Sequence, residues 1–282
     1  MLPYLTYKQI NVVMVSNTST RKLSLEDKLV LQNAKIKMEE IGWAMQGLNQ
    51  IGNIIDKRID LLPQKQQKWL QQVSYNVLHT VVKSNLISMK NKQPKVPSNL
   101  FYKAMVTSSG AIGGAFGATA FAVDLGLTTK LMMRSIMDIG RSEGEDLNEL
   151  DTQLACLQVF ALGGKTKHDD SLDTGYFATR IALNAAVKGS SSKLVEGLLV
   201  TSANPLLRLV SVVASRFSVQ VSEKFVAQAI PVVGAVGGAS INLAFIQHFQ
   251  NMAQAHFSIR RLERKYGEAL VRDSYEGLAV EK

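Results

Sequence analysis

Apolar residues recur at helical spacing along most of this chain. Ile41, Ala44, Met45, Leu48, Ile51, Ile55, Ile59 and Leu62 fall three or four apart until Pro63 ends the run, a stripe that predicts a helix. Ser24, with Asp27 three residues on, resembles a capping box, so one long helix is expected over residues 24–62, with Gly42, Gly47 and Gly52 as places to bend. A second helix is expected over residues 64–89, with Leu70, Val73, Val77, Val81 and Leu86 on one side and Lys65, Lys68 and Lys83 around it. Residues 206–226 are rich in valine, which favours strand, yet Ser211, Ser215, Ser218 and Ser222 repeat at four, three and four. That rhythm belongs to a helix, and pattern outweighs propensity. Shorter helices are expected over residues 149–162 and 176–187, with polar loops at 163–175 and 189–192. The last helix carries IRRLERKYGEAL, whose alternating charges read as a solvated face.

Two stretches depart from this rhythm. Residues 108–134, SSGAIGGAFGATAFAVDLGLTTKLMMR, begin as a charge-free run of small residues and become an ordinary amphipathic helix after Asp124. On a helix Gly110, Gly113, Gly114 and Gly117 share one face and leave a groove for another backbone. Residues 229–245 repeat the chemistry with Gly234, Gly237 and Gly238, after a Pro231 that a helix N-terminus tolerates. The expected fold is all-α, a multi-helix bundle with these two glycine-rich helices packed together at its centre, the first of them running from about residue 101 to the acidic turn near Gly144. Two other readings of residues 104–123 stay open: a membrane span, since the stretch has no charge, though it is poor in leucine and isoleucine, and a re-entrant hairpin. The layout reads as a flexible lead-in (1–23), a helical hairpin (24–89), a proline- and lysine-bearing linker (90–100), a helical core (101–258) and a charged C-terminal helix and tail (259–282). The N-terminus has no secretory signal, and either Met1 or Met14 could be the true start.

With 46% hydrophobic and 20% charged residues over 282 positions, the chain has ample material for a core. The formal charge of +9 is uneven: residues 1–100 hold 14 Lys/Arg against 6 Asp/Glu. Such an excess suits an anionic membrane surface. Aromatics are not interleaved with the lysines, which disfavours nucleic acid. Cys156, the single cysteine, sits in an apolar run, excludes an internal disulfide, points to a reducing compartment and reads as a buried thiol.

Catalytic signatures are missing: no G-x-S-x-G elbow, no H-E-x-x-H and no paired cysteines. Gly164, Lys165 and Thr166 imitate the end of a phosphate loop, but Val159 stands where its first glycine belongs. His248, Met252 and His256 share a helix face, yet two histidines eight apart make a poor metal site. No catalytic residue, metal or cofactor is assigned. Asp124 is the most informative polar residue, because an unpaired carboxylate in an apolar helix must find a partner or titrate. Arg134 and Arg180 are the partners expected, with Thr128 as an added donor. A pocket around Asp124, Thr128, Arg134, Tyr176 and Arg180 is the alternative.

Residues 110–164, with the glycine run, Asp124 and the paired Thr128 and Thr129, Arg134, the Gly144-Glu145-Asp146 turn and a short apolar helix, resemble the core of the EcsC protein family. The GYFATR run ending at Arg180 and the IPVVGAVGGASIN run ending at Asn242 resemble further family blocks, so that the likeness covers about residues 62–257. Where the family usually has proline two residues after the acid, this chain has Gly126. The resemblance implies an all-α, bacterial or bacterial-like protein, of a family named after a gene neighbouring an ABC transporter, and no established activity. Its candidate ligand-binding residues are Asp124, Thr128, Thr129, Arg134, Tyr176, Arg180 and Asn242. The reading favoured here is a cytoplasmic protein held peripherally on the inner membrane face by anionic lipid. The alternatives are a lipid- or ester-processing enzyme and an adaptor that docks on a membrane transporter or other helical partner. Oligomeric state is not legible.

Overall fold

The computed structural model describes residues 22–39, 58–59, 61–88, 96–113, 117–162, 175–188, 205–229 and 238–278. Every regular element among them is a helix: α1 (Leu25–Glu39), α2 (Gln64–Ser88), α3 (Asn99–Gly113), α4 (Gly117–Ser142), α5 (Leu150–Gln158) with a 3₁₀ turn (Val159–Ala161), α6 (Tyr176–Lys188), α7 (Pro205–Ala229), α8 (Gly238–Tyr266) and α9 (Glu268–Glu276). The all-α expectation holds, including the valine-rich α7. Its serines close onto their own helix, Ser215 onto the Val212 carbonyl, Ser218 onto that of Ser215 and Ser222 onto that of Ser218, each at 2.7 Å. This back-bonding lets hydroxyls sit on a helix without competing for its ladder.

The centre of the bundle is α8, whose first two turns come from the second glycine-rich stretch. It packs against α1, α3, α4, α7, α9 and the 3₁₀ turn, and buries Ile241, Phe245, Ile246, Phe249, Ala253, Phe257, Ile259 and Leu262 completely. Phe160 of the 3₁₀ turn, Phe217 of α7 and Phe245 and Phe249 of α8 interlock with centroids 5.1–6.2 Å apart, edge-to-face or tilted as ring quadrupoles prefer.

The expected helix from residue 101 to the acidic turn is instead two. Helix α3 ends at Gly113, α4 begins at Gly117, and the two pack side by side. They run antiparallel, for Asn242 bridges Val106 of α3 to Asp124 of α4, while further along Asn99 accepts a hydrogen bond from Ser135. Glycine weakens a helix interior by about 1 kcal/mol relative to alanine, and four glycines within eight positions are where a helix gives way. Gly114, Gly234 and Gly237 lie outside the described residues, as do residues 40–57 with the three predicted bends, residues 90–95 of the linker, residues 163–174 of the next predicted loop and the loop at 189–192.

Ser24 opens α1 as expected: its hydroxyl oxygen accepts the Asp27 N–H at 3.1 Å and donates to the Asp27 carboxylate at 2.9 Å. The Ser24 N–H goes to the Tyr266 hydroxyl at 3.3 Å, so this cap is shared with α8. Gly144 ends α4 at φ +85°, a left-handed turn that suits glycine. It turns the Glu145 side chain onto α8, where Arg260 donates to it at 2.8 and 3.1 Å, Arg264 pairs with it, and Thr152 donates at 3.0 Å. The helix expected to be merely solvated is thus tied down: Arg261 meets Glu143 and Lys265 meets Asp27, each at 2.7 Å. Among the described residues no helix is long and apolar enough to cross a membrane.

Candidate functional site

Four helices meet around Asp124. It lies on α4 two turns past Gly117, where Phe121, Leu125 and Thr128 also turn inward, the three- and four-residue spacing of one helix face. Lys224, on the α7 face that also buries Phe217 and Val221, places its ammonium 2.8 Å from the carboxylate. Asn242, in the second turn of α8, donates its amide to the other carboxylate oxygen at 2.9 Å and to the Val106 carbonyl of α3 at 3.3 Å. Thr128 donates more weakly at 3.4 Å. Lys224 is wholly buried, and its ammonium lies 5.1 Å over the Phe245 ring, a cation–π contact.

Burial pushes the Asp124 carboxyl up, but the charge and hydrogen bond of Lys224, with the Asn242 and Gln228 amides, outweigh it and leave the group below the ordinary carboxylate range. Burial lowers the Lys224 ammonium, and Asp124 restores only part of that. Each group stays charged because the other is there. An aromatic trio beside them, Trp69 of α2, Phe121 of α4 and Phe225 of α7, has centroids 5.1–6.0 Å apart and places the start of α2 at the same end of the bundle.

The internal ion pair expected at Asp124 is present, but with a different partner. Arg134 stands ten residues along α4, about 15 Å, where its charge acts on Tyr102. Arg180 is held elsewhere by Glu263, bidentate at 2.6 and 3.1 Å. The expected grouping of Asp124, Thr128, Arg134, Tyr176 and Arg180 therefore does not form: Asp124, Thr128 and Asn242 come together, and Tyr176 and Arg180 make a second cluster. Thr129 is buried next to Thr128, its hydroxyl without a hydrogen-bond partner among the described residues. The residue missed is Lys224. Its signal was legible as a lone lysine at the end of an apolar stripe formed by Phe217 and Val221, matching a lone carboxylate in another.

In the second cluster Arg180 donates to the Tyr176 hydroxyl at 3.2 Å, and that hydroxyl meets His256 Nδ1 at 2.9 Å. Burial, with the charges of Arg180 and Arg260, holds His256 well below its usual value, so the ring is neutral and shares one hydrogen bond with the tyrosine hydroxyl through Nδ1. His248 is also buried, and burial brings it down to about 4. Neither histidine faces a metal-binding partner set: no group of three or more His, Cys, Asp or Glu is arranged to hold a metal among the described residues. Cys156 is buried as expected, its thiol pushed up to about 12 chiefly by burial.

The two charges at Asp124 are engaged with each other and with the Asn242 amide nitrogen, which suits a clamp joining α3, α4, α7 and α8 more than a nucleophile or general base. Gly238 is buried at the start of α8, and Gly110 and Gly113 close α3. The model of the EcsC protein family matches residues 29–262, a wider span than the sequence motifs delimit. No curated protein and no solved structure matches the chain.

Proposed function

The chain belongs to the EcsC protein family, and from that premise we propose that it is a helical protein that attaches peripherally to an anionic membrane surface, on its cytoplasmic face, through the Asp124 end of its bundle. The observation that carries the reading is the outer surface at that end. Val123, Leu243 and Met105 are the sequence neighbours of the clamp residues Asp124, Asn242 and Val106, and all three are exposed, Val123 at 69%. Leu61, just before α2, is 79% exposed. At this level α3, α4 and α8 carry apolar side chains on their outer faces as well as around the buried pair, a surface that gains by leaving water.

Charge supports the same orientation. Residues 104–123 carry none, while Lys65 and Lys68 stand exposed within one turn of Trp69 and have no carboxylate partner among the described residues. Each well-placed lysine contributes about 1 kcal/mol on an anionic surface, and each apolar side chain fully withdrawn from water about 1.5–3 kcal/mol. Four such side chains and two lysines give reversible attachment of the kind amphipathic surfaces achieve.

Vesicle flotation tests the reading. The chain is expected to float with phosphatidylglycerol-containing vesicles at low salt, to dissociate at high salt, and to bind less after Val123→Glu with Leu243→Glu or after Lys65→Glu with Lys68→Glu. Equal partition into neutral and anionic vesicles removes the electrostatic half of the proposal, and no flotation with either removes it whole.

A further inference from the structure

At the opposite end of α8 a cavity of about 250 Å³ opens between α6, the end of α8 and α9. Its floor is the Arg180–Glu263 pair, both side chains largely buried. Arg180 is fixed further by the Tyr176 hydroxyl and lies over the Phe177 ring at 5.7 Å. Its other wall is α9, where Glu268 and Arg272, one turn apart, are exposed and without a partner among the described residues. Phe177 and Ile181 form the apolar side, Ile181 at 59% exposure.

Floor and wall thus each present one positive and one negative group. An anion alone entering this space meets Glu263 and Glu268 as well as Arg180 and Arg272, and a cation alone meets the converse, so a single charge gains little. A molecule that carries both signs a few atoms apart sets each against its opposite, with its carbon skeleton on Phe177 and Ile181. The floor pair is already ordered, which spares part of the entropy of forming a site. The volume is below the range usual for drug-sized ligands.

We propose that this cavity binds a small zwitterion, an ammonium joined by a short carbon chain to an anionic oxygen group. Two sources share that chemistry: a phosphodiester headgroup and a free ammonium carboxylate. The site lies about 30 Å along α8 from Asn242 at 1.5 Å per residue, so its failure leaves the membrane reading untouched.

Calorimetric titration of the full chain with glycerophosphocholine and with glycine betaine, against choline and glycerol phosphate as halves that carry one sign of charge each, decides it. At least one zwitterion is expected to bind saturably, about tenfold or more tighter than either half. Arg272→Ala and Glu268→Ala, both on the exposed wall, should each weaken it about tenfold, the loss of one charge-assisted contact, with the melting temperature unchanged. Binding of glycerophosphocholine alone assigns a headgroup, of betaine alone a free ammonium carboxylate, and of both the shared chemistry. Saturation by neither zwitterion overturns the proposal, as does a half of one sign binding as tightly, or two variants that bind like the parent.

Discussion

Lys224 and Asp124 lie 100 residues apart in the chain and 2.8 Å apart in the fold, with side-chain exposures of 0% and 3%. The pair joins α4 to α7, and through Asn242 it reaches α3 and α8. Two charges withdrawn from water this completely gain little net energy from each other, because their attraction mostly offsets the cost of desolvating them. What they supply is register: four helices meet correctly only when ammonium, carboxylate and amide coincide.

The first prediction tests that balance. Asp124→Asn or Lys224→Met leaves one buried charge without its counter-charge and should cost about 3–5 kcal/mol in urea unfolding. Asp124→Leu combined with Lys224→Met removes both charges and should recover most of the loss. A double variant no more stable than the singles would mean that the pair is worth more than its desolvation.

Two glycines of α4 should respond with opposite sign. An added methyl at Gly126 meets nothing within 4 Å, and this helical position, where the family usually has proline, should gain about 0.4–1 kcal/mol as Gly126→Ala. At Gly140 the same methyl would stand 3.2 Å from the ring of Phe257, which is fully buried on α8. Gly140→Ala should cost about 1–3 kcal/mol through overpacking. Thermal melts of the two variants side by side check it, and a shift of the same sign in both contradicts the packing argument.

The helices were legible where one face alone decides them. The stripe of Leu70, Val73, Val77 and Val81 marks α2, the serine rhythm marks α7, and Ser24 with Asp27 marks the start of α1. What spacing could not show is which charges meet across the bundle. Asp124 advertised the need for a partner, but two arginines are plainer candidates than a lysine at the end of an apolar stripe, and only the fold, which brings Lys224 of α7 to Asp124 of α4, chooses between them. The same limit explains the charged end of α8. Alternating signs look alike whether their opposites are water and counterions or, as here, Glu143, Glu145, Asp151 and Asp27 on other segments.

Cys156 offers a test of core integrity. Its thiol is fully buried and pushed up to about 12, so almost no thiolate is present at neutral pH, and thiolate is the reactive form. Iodoacetamide should leave the native chain unmodified under conditions that fully alkylate it in urea. Rapid alkylation of the native chain would place the short α5 outside the core.

The last prediction concerns acid. Asp27 accepts from Lys265 and Tyr266 at 2.7 Å each and from Ser24 at 2.9 Å, and these hydrogen bonds, Lys265 first, bring its carboxyl down from 3.8 to about 2. A carboxyl lowered on folding contributes stability that is complete above its unfolded value and is lost as pH falls through its folded one. The junction of α1 with the end of α8 should therefore weaken between pH 3.8 and about 2. Asp27→Asn lacks the titrating group, so its urea midpoint should lie below that of the parent near neutral pH, and the difference should shrink across that window. A gap between parent and variant that stays constant as pH falls through the window would show that Asp27 holds α1 by something other than its charge.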